Sequence, residues 1–261
     1  MLTILACAPN GHQGDCDSLR HGCFSSMQSQ SMTRGHVLAA ALRKTLGCLL
    51  LAIPLSLFTP VTQADQDFLQ TLEAEYGIDA GRRGQQLALM LDQLRSAPRR
   101  EQLHRVNRFF NVFRFRADHK QWEREDYWAS PVEFIGRFAG DCEDYAIAKY
   151  FALSWLGLDN NSMQLSYVYN TLRLEYHVVL EVRDGPSDEV MILDNTNPFV
   201  LPAHRRPELT KVVGFGDTHV SVTLPSGGEQ VFERTGRWNM QQWDSVLVRA
   251  DRDPGDSCPF T

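Results

Sequence analysis

The sequence lacks an excess of positive charge. It contains 26 lysine and arginine residues against 32 aspartate and glutamate residues, which gives a formal net charge of -6 and a pI near 5.7. Binding to a nucleic acid backbone depends on a basic surface, so this balance excludes nucleic acid as an expected partner. The remaining composition, 43% hydrophobic and 22% charged, is that of a globular protein.

The sequence also lacks an apolar run long enough to span a bilayer, which takes about 20 residues as a helix. Residues 46–58 form an uncharged apolar stretch that follows Arg43 and Lys44 and leads to small residues ending at Ala64. Basic, apolar and small segments in this order are typical of a secretory signal peptide. We therefore expect residues 1–64 to be an N-terminal extension and signal peptide, with translation starting at Met32. The rest, residues 65–261, is expected to be one exported domain without stable membrane insertion.

Cysteine is scarce in the expected mature chain. Of six cysteines, the four at positions 7, 16, 23 and 48 fall within the extension, which leaves Cys142 and Cys258. Exported proteins usually pair their cysteines, so a bridge between these two is one interpretation. Cys258 lies in a tail rich in proline and glycine, which is poorly suited to a buried bridge. The other interpretation makes Cys142 a reactive thiol.

Apolar spacing divides the expected domain into a helical part and a strand part. Residues 65–115 have helical spacing, with predicted breaks at Gly77, at Gly81 with Gly84, and at Pro98. A polar, aromatic loop is predicted over 114–127, and a further helix from Asp141 to about Leu156, closed by Gly157.

After Gly157 the apolar period changes to two, which predicts strands. They are expected at residues 165–169, 174–182, 190–193, 211–215, 219–224 and 246–249. The prediction is an α+β domain, with an N-terminal helical lobe followed by an antiparallel β-sheet lobe.

Three residues in separate segments have the chemistry of a nucleophile, a base and an orienting acid. Cys142 is predicted in the first turn of a helix, where the helix dipole favours a thiolate. His177 lies within a predicted strand, and Asp194 ends the next one. A turn centred between residues 185 and 186 would place His177 directly opposite Asp194, with Cβ atoms about 4.5 to 5.5 Å apart.

Each of these residues also has a plainer interpretation. Cys142 could be a buried structural thiol or part of a disulfide, His177 a packing residue, and Asp194 the start of a turn. Taken singly, the plainer interpretations are favoured. The combination of a helix-capped cysteine, a strand histidine and an opposed aspartate favours catalysis.

Acidic residues surround the predicted nucleophile. Asp141, Glu143 and Asp144 lie within one turn of Cys142, and like charges at that distance raise the pKa of a thiol. One explanation is that Asp141 is the N-cap, while Glu143 and Asp144 complement the helix dipole. The other is that they bind a hard cation such as calcium. Spacing alone favours the cap, because three acids are too few ligands for calcium and no EF-hand loop is present.

Several motifs resemble one known family. They are Asp-Tyr-Trp at 126–128, Ser-Pro-Val-Glu-Phe at 130–134, Gly-Asp-Cys-Glu-Asp-Tyr-Ala at 140–146, Tyr-His-Val-Val-Leu at 176–180 and Leu-Asp-Asn at 193–195. With these motifs the chain is similar to the bacterial transglutaminase-like cysteine proteinases over about residues 68–248.

The resemblance implies a papain-like, transglutaminase-like fold with Cys142, His177 and Asp194 as the catalytic triad. It also implies a calcium site at Asp141 and Glu143, with Asp144 as a weaker ligand. The backbone N–H of Cys142 is expected to contribute to an oxyanion hole, and Trp128 is a positional guess for the second donor.

The resemblance further implies a periplasmic, calcium-dependent cysteine endopeptidase. Its expected substrate is the N-terminal region of a large surface adhesin, whose release promotes biofilm dispersal. Its expected partner is a cyclic-di-GMP-responsive receptor of the inner membrane that sequesters it. Two alternatives stay open: a transglutaminase or deamidase acting on glutamine side chains, and a non-catalytic calcium-dependent binding module.

Overall fold

The computed structural model describes residues 63–184, 189–234 and 241–252. All but the last two residues of the predicted signal peptide lie outside these ranges, as do the Met32 start, the turn between the two site strands and Cys258. Among the described residues, no helix has the length and hydropathy needed to cross a membrane.

Seven α-helices lie within the described ranges, six before the main sheet and one after it. They are α1 (Gln63–Tyr76), α2 (Ile78–Leu94), α3 (Arg99–Phe110), α4 (Asp118–Gln121), α5 (Pro131–Arg137), α6 (Cys142–Trp155) and α7 (Gln241–Arg252).

The described strands form two sheets. A short parallel pair consists of β1 (Arg114–Phe115) and β2 (Ala139–Gly140). The main sheet is antiparallel, with strands in the order β6-β5-β4-β3-β7-β8-β9. Its strands are β3 (Met163–Asn170), β4 (Glu175–Asp184), β5 (Glu189–Leu193), β6 (Leu201–Pro202), β7 (Leu209–Phe215), β8 (His219–Thr223) and β9 (Glu229–Glu233). The predicted α+β order of helices followed by an antiparallel sheet is confirmed.

Helix α6 lies at the centre of this arrangement. It packs against β3 and β4 of the main sheet and against helices α3 and α5. Its side chains from Cys142 to Tyr150 are all buried, as expected for a helix that is apolar around most of its circumference. The central helix therefore holds its first residue, Cys142, within the buried core.

The predicted break at Gly81 and Gly84 is wrong, because α2 runs through both residues. Gly84 faces α1, and a Cβ added there would clash with the side chains of Leu72 and Leu69. Glycine at this position permits a close approach of two helices. The predicted loop over 114–127 is also partly wrong, since it contains β1 and α4.

The predicted strand at 246–249 is wrong as well, because these residues belong to α7. Trp243 and Val246 are both fully buried and are three residues apart, which places them on one face of a helix. The ring of Trp243 meets that of Tyr150 edge-on, with 5.1 Å between centroids. The sequence did not predict β9, an exposed strand at the sheet edge with few apolar residues.

Candidate active site

Cys142 is the first residue of α6, and only Asp141 separates it from β2. Its side chain is fully buried, and its position at the helix N-terminus favours negative charge on the sulfur. Gly140 makes the preceding turn this tight: a Cβ added there would clash with the carboxylate of Asp144 and lie 2.8 Å from Phe134 Cδ2. The Gly-Asp-Cys sequence therefore reflects close packing as well as chemistry.

Asp144, the third residue of α6, binds the backbone of the residue that caps this helix. Its Oδ2 accepts a hydrogen bond from the backbone N–H of Asp141 at 3.2 Å, and its Oδ1 accepts one from the N–H of Ala129 at 2.8 Å. These bonds tie the segment before α5 to the start of α6. Asp141 is the N-cap residue, as the sequence suggested, and both carboxylate oxygens of Asp144 are engaged in these hydrogen bonds. The predicted role of Asp144 as a weaker metal ligand stays a prediction.

His177 and Asp194 form a buried hydrogen-bonded pair. His177 Nε2 lies 2.8 Å from Asp194 Oδ1, and the side chains are 6% and 0% exposed. The predicted register is wrong by two residues: Val182 pairs with Met191 and Leu180 with Leu193, so His177 and Asp194 are not directly opposed. A shift of two residues keeps each side chain on the same face of the sheet. The predicted contact between His177 and Asp194 is therefore present although the predicted register is wrong.

Asp194 is held by more groups than the sequence suggested. Arg206 Nη2 donates to Asp194 Oδ2 at 2.7 Å, and the backbone N–H of Thr196 donates to Oδ1 at 2.7 Å. Burial acts to raise the pKa of Asp194, but the hydrogen bond and charge of His177, with the bonds from Arg206 and Thr196, lower it well below its usual range. Arg206 lies twelve residues from Asp194 in sequence, in the connection from β6 to β7, and has no motif that would single it out.

The His177–Asp194 pair lies beside the helix that begins with Cys142. Strand β4, which carries His177, packs against α6. Lys149 lies two turns after Cys142 on α6. Burial lowers the pKa of Lys149 to about 7, although the negative charge of Asp194 is close enough to act in the opposite direction. The pair and the start of α6 therefore belong to one buried region.

Cys142 is disulfide-bonded in this structure. The predicted alternative of a bridge to Cys258 concerns a residue outside the described part of the chain. Nucleophilic attack requires the thiolate, so catalysis by Cys142 needs the reduced form.

A second buried cluster contains Asp118, Asp141 and Glu143. One carboxylate oxygen from each lies within 4.8 Å of the others, and all three residues are at most 3% exposed. Both oxygens of Asp141 and Oδ1 of Asp118 have no hydrogen-bond partner. Buried carboxylate oxygens without donors are costly unless a cation binds them.

The pKa values of these acids reflect the same crowding. Burial raises the pKa of Asp118 to about 6 and that of Glu143 to about 7. Burial, together with the charges of Glu143 and Asp144, raises the pKa of Asp141 well above its usual range. The folded protein without a cation thus disfavours the ionised form of all three groups.

This donor set fits calcium, which prefers carboxylate oxygens and takes several of them. Asp141 and Glu143 are the two predicted ligands, and Asp118 is a third candidate that the sequence did not indicate. It was missed because α4 was expected to be loop, and 23 residues separate it from Asp141. Glu143 links the two sites, since its Oε2 lies 3.1 Å from Cys142 Sγ.

Trp128, the guessed second oxyanion donor, is 1% exposed, and its ring stacks on that of Phe215 with 5.4 Å between centroids. The structure thus gives it a packing role in the core. Its predicted contribution to the oxyanion hole stays a prediction.

The chain is similar to known proteins in sequence and in fold. A family model described as bacterial transglutaminase-like cysteine proteinase matches residues 84–207. Legionella pneumophila LapG in its EGTA-treated form is 30% identical, with a TM-score of 0.61, over 74% of this chain and 100% of LapG. Calcium-bound LapG is also 30% identical, with a TM-score of 0.60, over 72% of this chain and 99% of LapG. No curated protein matches this chain in sequence. The likeness to LapG confirms the predicted fold class.

Proposed function

Because the chain belongs to the bacterial transglutaminase-like cysteine proteinases, we propose that it is a calcium-dependent cysteine endopeptidase with Cys142, His177 and Asp194 as its catalytic triad. The observation that carries this proposal is the buried 2.8 Å bond between His177 and Asp194, next to the helix whose first residue is Cys142.

The proposed reaction is peptide hydrolysis by covalent catalysis. The thiolate of Cys142 attacks the scissile carbonyl and forms an acyl-enzyme, which water then hydrolyses. His177 Nε2 is bonded to Asp194, so Nδ1 is the ring nitrogen that exchanges a proton with the thiol and the leaving amine. Asp194 fixes the ring orientation and tautomer. The backbone N–H of Cys142 at the start of α6 stabilises the oxyanion.

Calcium is proposed to bind Asp118, Asp141 and Glu143. When bound, it supplies positive charge that offsets three carboxylates beside the nucleophile. Neutralising the charge of Glu143 is expected to affect the thiolate most, because a carboxylate oxygen of Glu143 lies 3.1 Å from the sulfur of Cys142. An uncompensated negative charge at that distance disfavours the thiolate.

The substrate, location and partner of the enzyme are proposed from the family. We propose that the mature chain, starting near residue 65, acts in the periplasm and cleaves the N-terminal region of a large surface adhesin. Release of the adhesin would promote biofilm dispersal. A cyclic-di-GMP-responsive receptor of the inner membrane is the proposed partner that sequesters the enzyme.

The test is to incubate the purified mature chain, reduced and with calcium, with an N-terminal fragment of the largest surface adhesin from the same bacterium. We expect two products whose new termini are identified by mass spectrometry. An intact fragment that instead gains the mass difference between an amide and an acid would identify a deamidase. An unchanged fragment that still binds the chain would identify a non-catalytic module. Either result would contradict the proposed peptidase.

A further inference from the structure

Arg206 bridges two carboxylates beside the proposed triad. It follows the short 3-10 helix Ala203–Arg205 in the connection from β6 to β7, and it is 5% exposed. Its Nη2 donates to Asp194 Oδ2 at 2.7 Å, and its Nε donates to Glu208 Oε1 at 2.5 Å. The planar guanidinium group thus has a fixed orientation, because it is bonded at two of its nitrogens.

The two oxygens of Asp194 have different partners. Oδ1 lies 2.8 Å from His177 Nε2 and accepts from the Thr196 N–H at 2.7 Å, whereas Oδ2 accepts from Arg206. Thr196 Oγ1 lies about equally far from both oxygens, at 2.9 and 3.0 Å, so it does not distinguish them. The bond from Arg206 distinguishes the two oxygens, because it holds Oδ2 and leaves Oδ1 facing the imidazole of His177.

Arg206 also affects the charge of Asp194. The carboxyl group is fully enclosed, and burial favours its protonated form. The groups that act against this are His177, Arg206 and the Thr196 N–H. Lys149 on α6 also feels the charge of Asp194, but its Nζ has no hydrogen-bond partner. Among the described residues, Arg206 is therefore the permanently charged group in direct contact with Asp194.

We propose that Arg206 is a positioning residue for the triad: by binding Oδ2 of Asp194, it holds the carboxylate ionised and oriented so that Oδ1 accepts the Nε2–H of His177. This inference rests on the proposed function and extends it from three residues to a fourth that does not touch the substrate.

The test measures kcat, KM and the pH dependence of kcat for Arg206→Gln, with the adhesin fragment as substrate. We expect kcat to fall about tenfold or more, because small errors in catalytic geometry have large kinetic effects, while KM changes little. Without the guanidinium group the pKa of Asp194 rises, so the acid limb of the profile should move to higher pH. Arg206→Lys keeps the charge but not the fork geometry, and it should restore the acid limb but only part of kcat.

The rate of Cys142 alkylation by iodoacetamide, measured against pH, gives a readout that needs no protein substrate. Lys211→Gln is the matched control, since Lys211 also bridges two carboxylates of the same sheet, Glu181 and Glu229. This control should leave the acid limb unchanged in both assays. Should Arg206→Gln fail to fold, Glu208→Gln removes only one support of the guanidinium group and should shift the acid limb in the same direction by less.

An Arg206→Gln enzyme with wild-type kcat and an unmoved acid limb would overturn the inference. So would a variant of lower stability with an unmoved acid limb, because that result indicates a purely structural ion pair. In both cases the proposed function would still stand if cleavage depends on Cys142. Cleavage that does not depend on Cys142 would instead reject the proposed function itself.

Discussion

Replacing Cys142 with alanine is expected to lower kcat/KM for peptide cleavage by about 10⁴-fold or more, as for loss of the nucleophile in other triads. No other described side chain at the start of α6 can take its place: Asp144 is engaged in the helix cap, and Asp141 and Glu143 belong to the proposed metal site. The fold should persist, because alanine is a good helix former and the substitution removes one buried atom. We expect the melting temperature of the reduced protein to change by no more than about 4 °C.

Cys258→Ala is the matched control, because it removes the other cysteine of the expected mature chain. The reduced control should cleave at the wild-type rate. Full activity of Cys142→Ala would reject the covalent mechanism, whereas inactivity of Cys258→Ala under reducing conditions would reject the assignment of the nucleophile.

Removal of calcium with EGTA is expected to abolish most of the cleavage and to lower the melting temperature by about 5 to 10 °C. The estimate assumes calcium at about 100 times its dissociation constant, which stabilises a domain of this size by about 2.7 kcal/mol. The physical reason is the acidic cluster, whose three buried carboxylates lie close together without donors for several of their oxygens.

The calcium effect should depend on pH in a defined direction. Asp118 and Glu143 have pKa values raised to about 6 and 7 in the folded protein. Groups with raised pKa values contribute stability at low pH, and this contribution is lost as the pH rises through their folded values. In EGTA, the melting temperature should therefore fall as the pH rises from about 5 to about 7.5. Calcium binds the ionised carboxylates, so the stabilisation that it gives should grow over the same range.

Asp141→Asn tests the ligand set directly. Loss of this carboxylate should weaken calcium binding in calorimetry by more than the roughly 10- to 100-fold typical of groups that only support a ligand. Asp79→Asn is a suitable control. Asp79 is exposed, pairs with Arg82 on the same helix, and is not one of the clustered acids. Equal calcium affinity in Asp141→Asn and the wild type, or an unchanged melting temperature in EGTA at pH 7.5, would show that the acidic cluster only caps the helix.

The helix and strands that contain the site residues were predicted more accurately from the sequence than the contacts between these elements. The helix beginning at Cys142 and the strand containing His177 were predicted because apolar spacing and turn residues are local signals. The pairing of His177 with Asp194 was predicted through a register that the structure corrects by two residues. The predicted contact was nevertheless correct, because side chains two residues apart on a strand lie on the same face of the sheet.

Two contributions to the site depend on the folded chain and could not be predicted from local sequence. Asp118 meets Asp141 and Glu143 only because β1 pairs with β2 and brings α4 to the start of α6. Arg206 reaches Asp194 only because the connection between β6 and β7 returns across the sheet. The helix α7 was missed for a different reason, since a short apolar run fits a strand and a buried helix face equally well.

The rate at which iodoacetamide alkylates Cys142 in the reduced, calcium-loaded protein tests the central claim most directly, because it reports the influence of the imidazole on the sulfur. The account predicts rapid alkylation near pH 6 in the wild type and a large loss of rate in both His177→Ala and Asp194→Ala. Alkylation that is slow in the wild type, or equally fast in all three proteins, would contradict it.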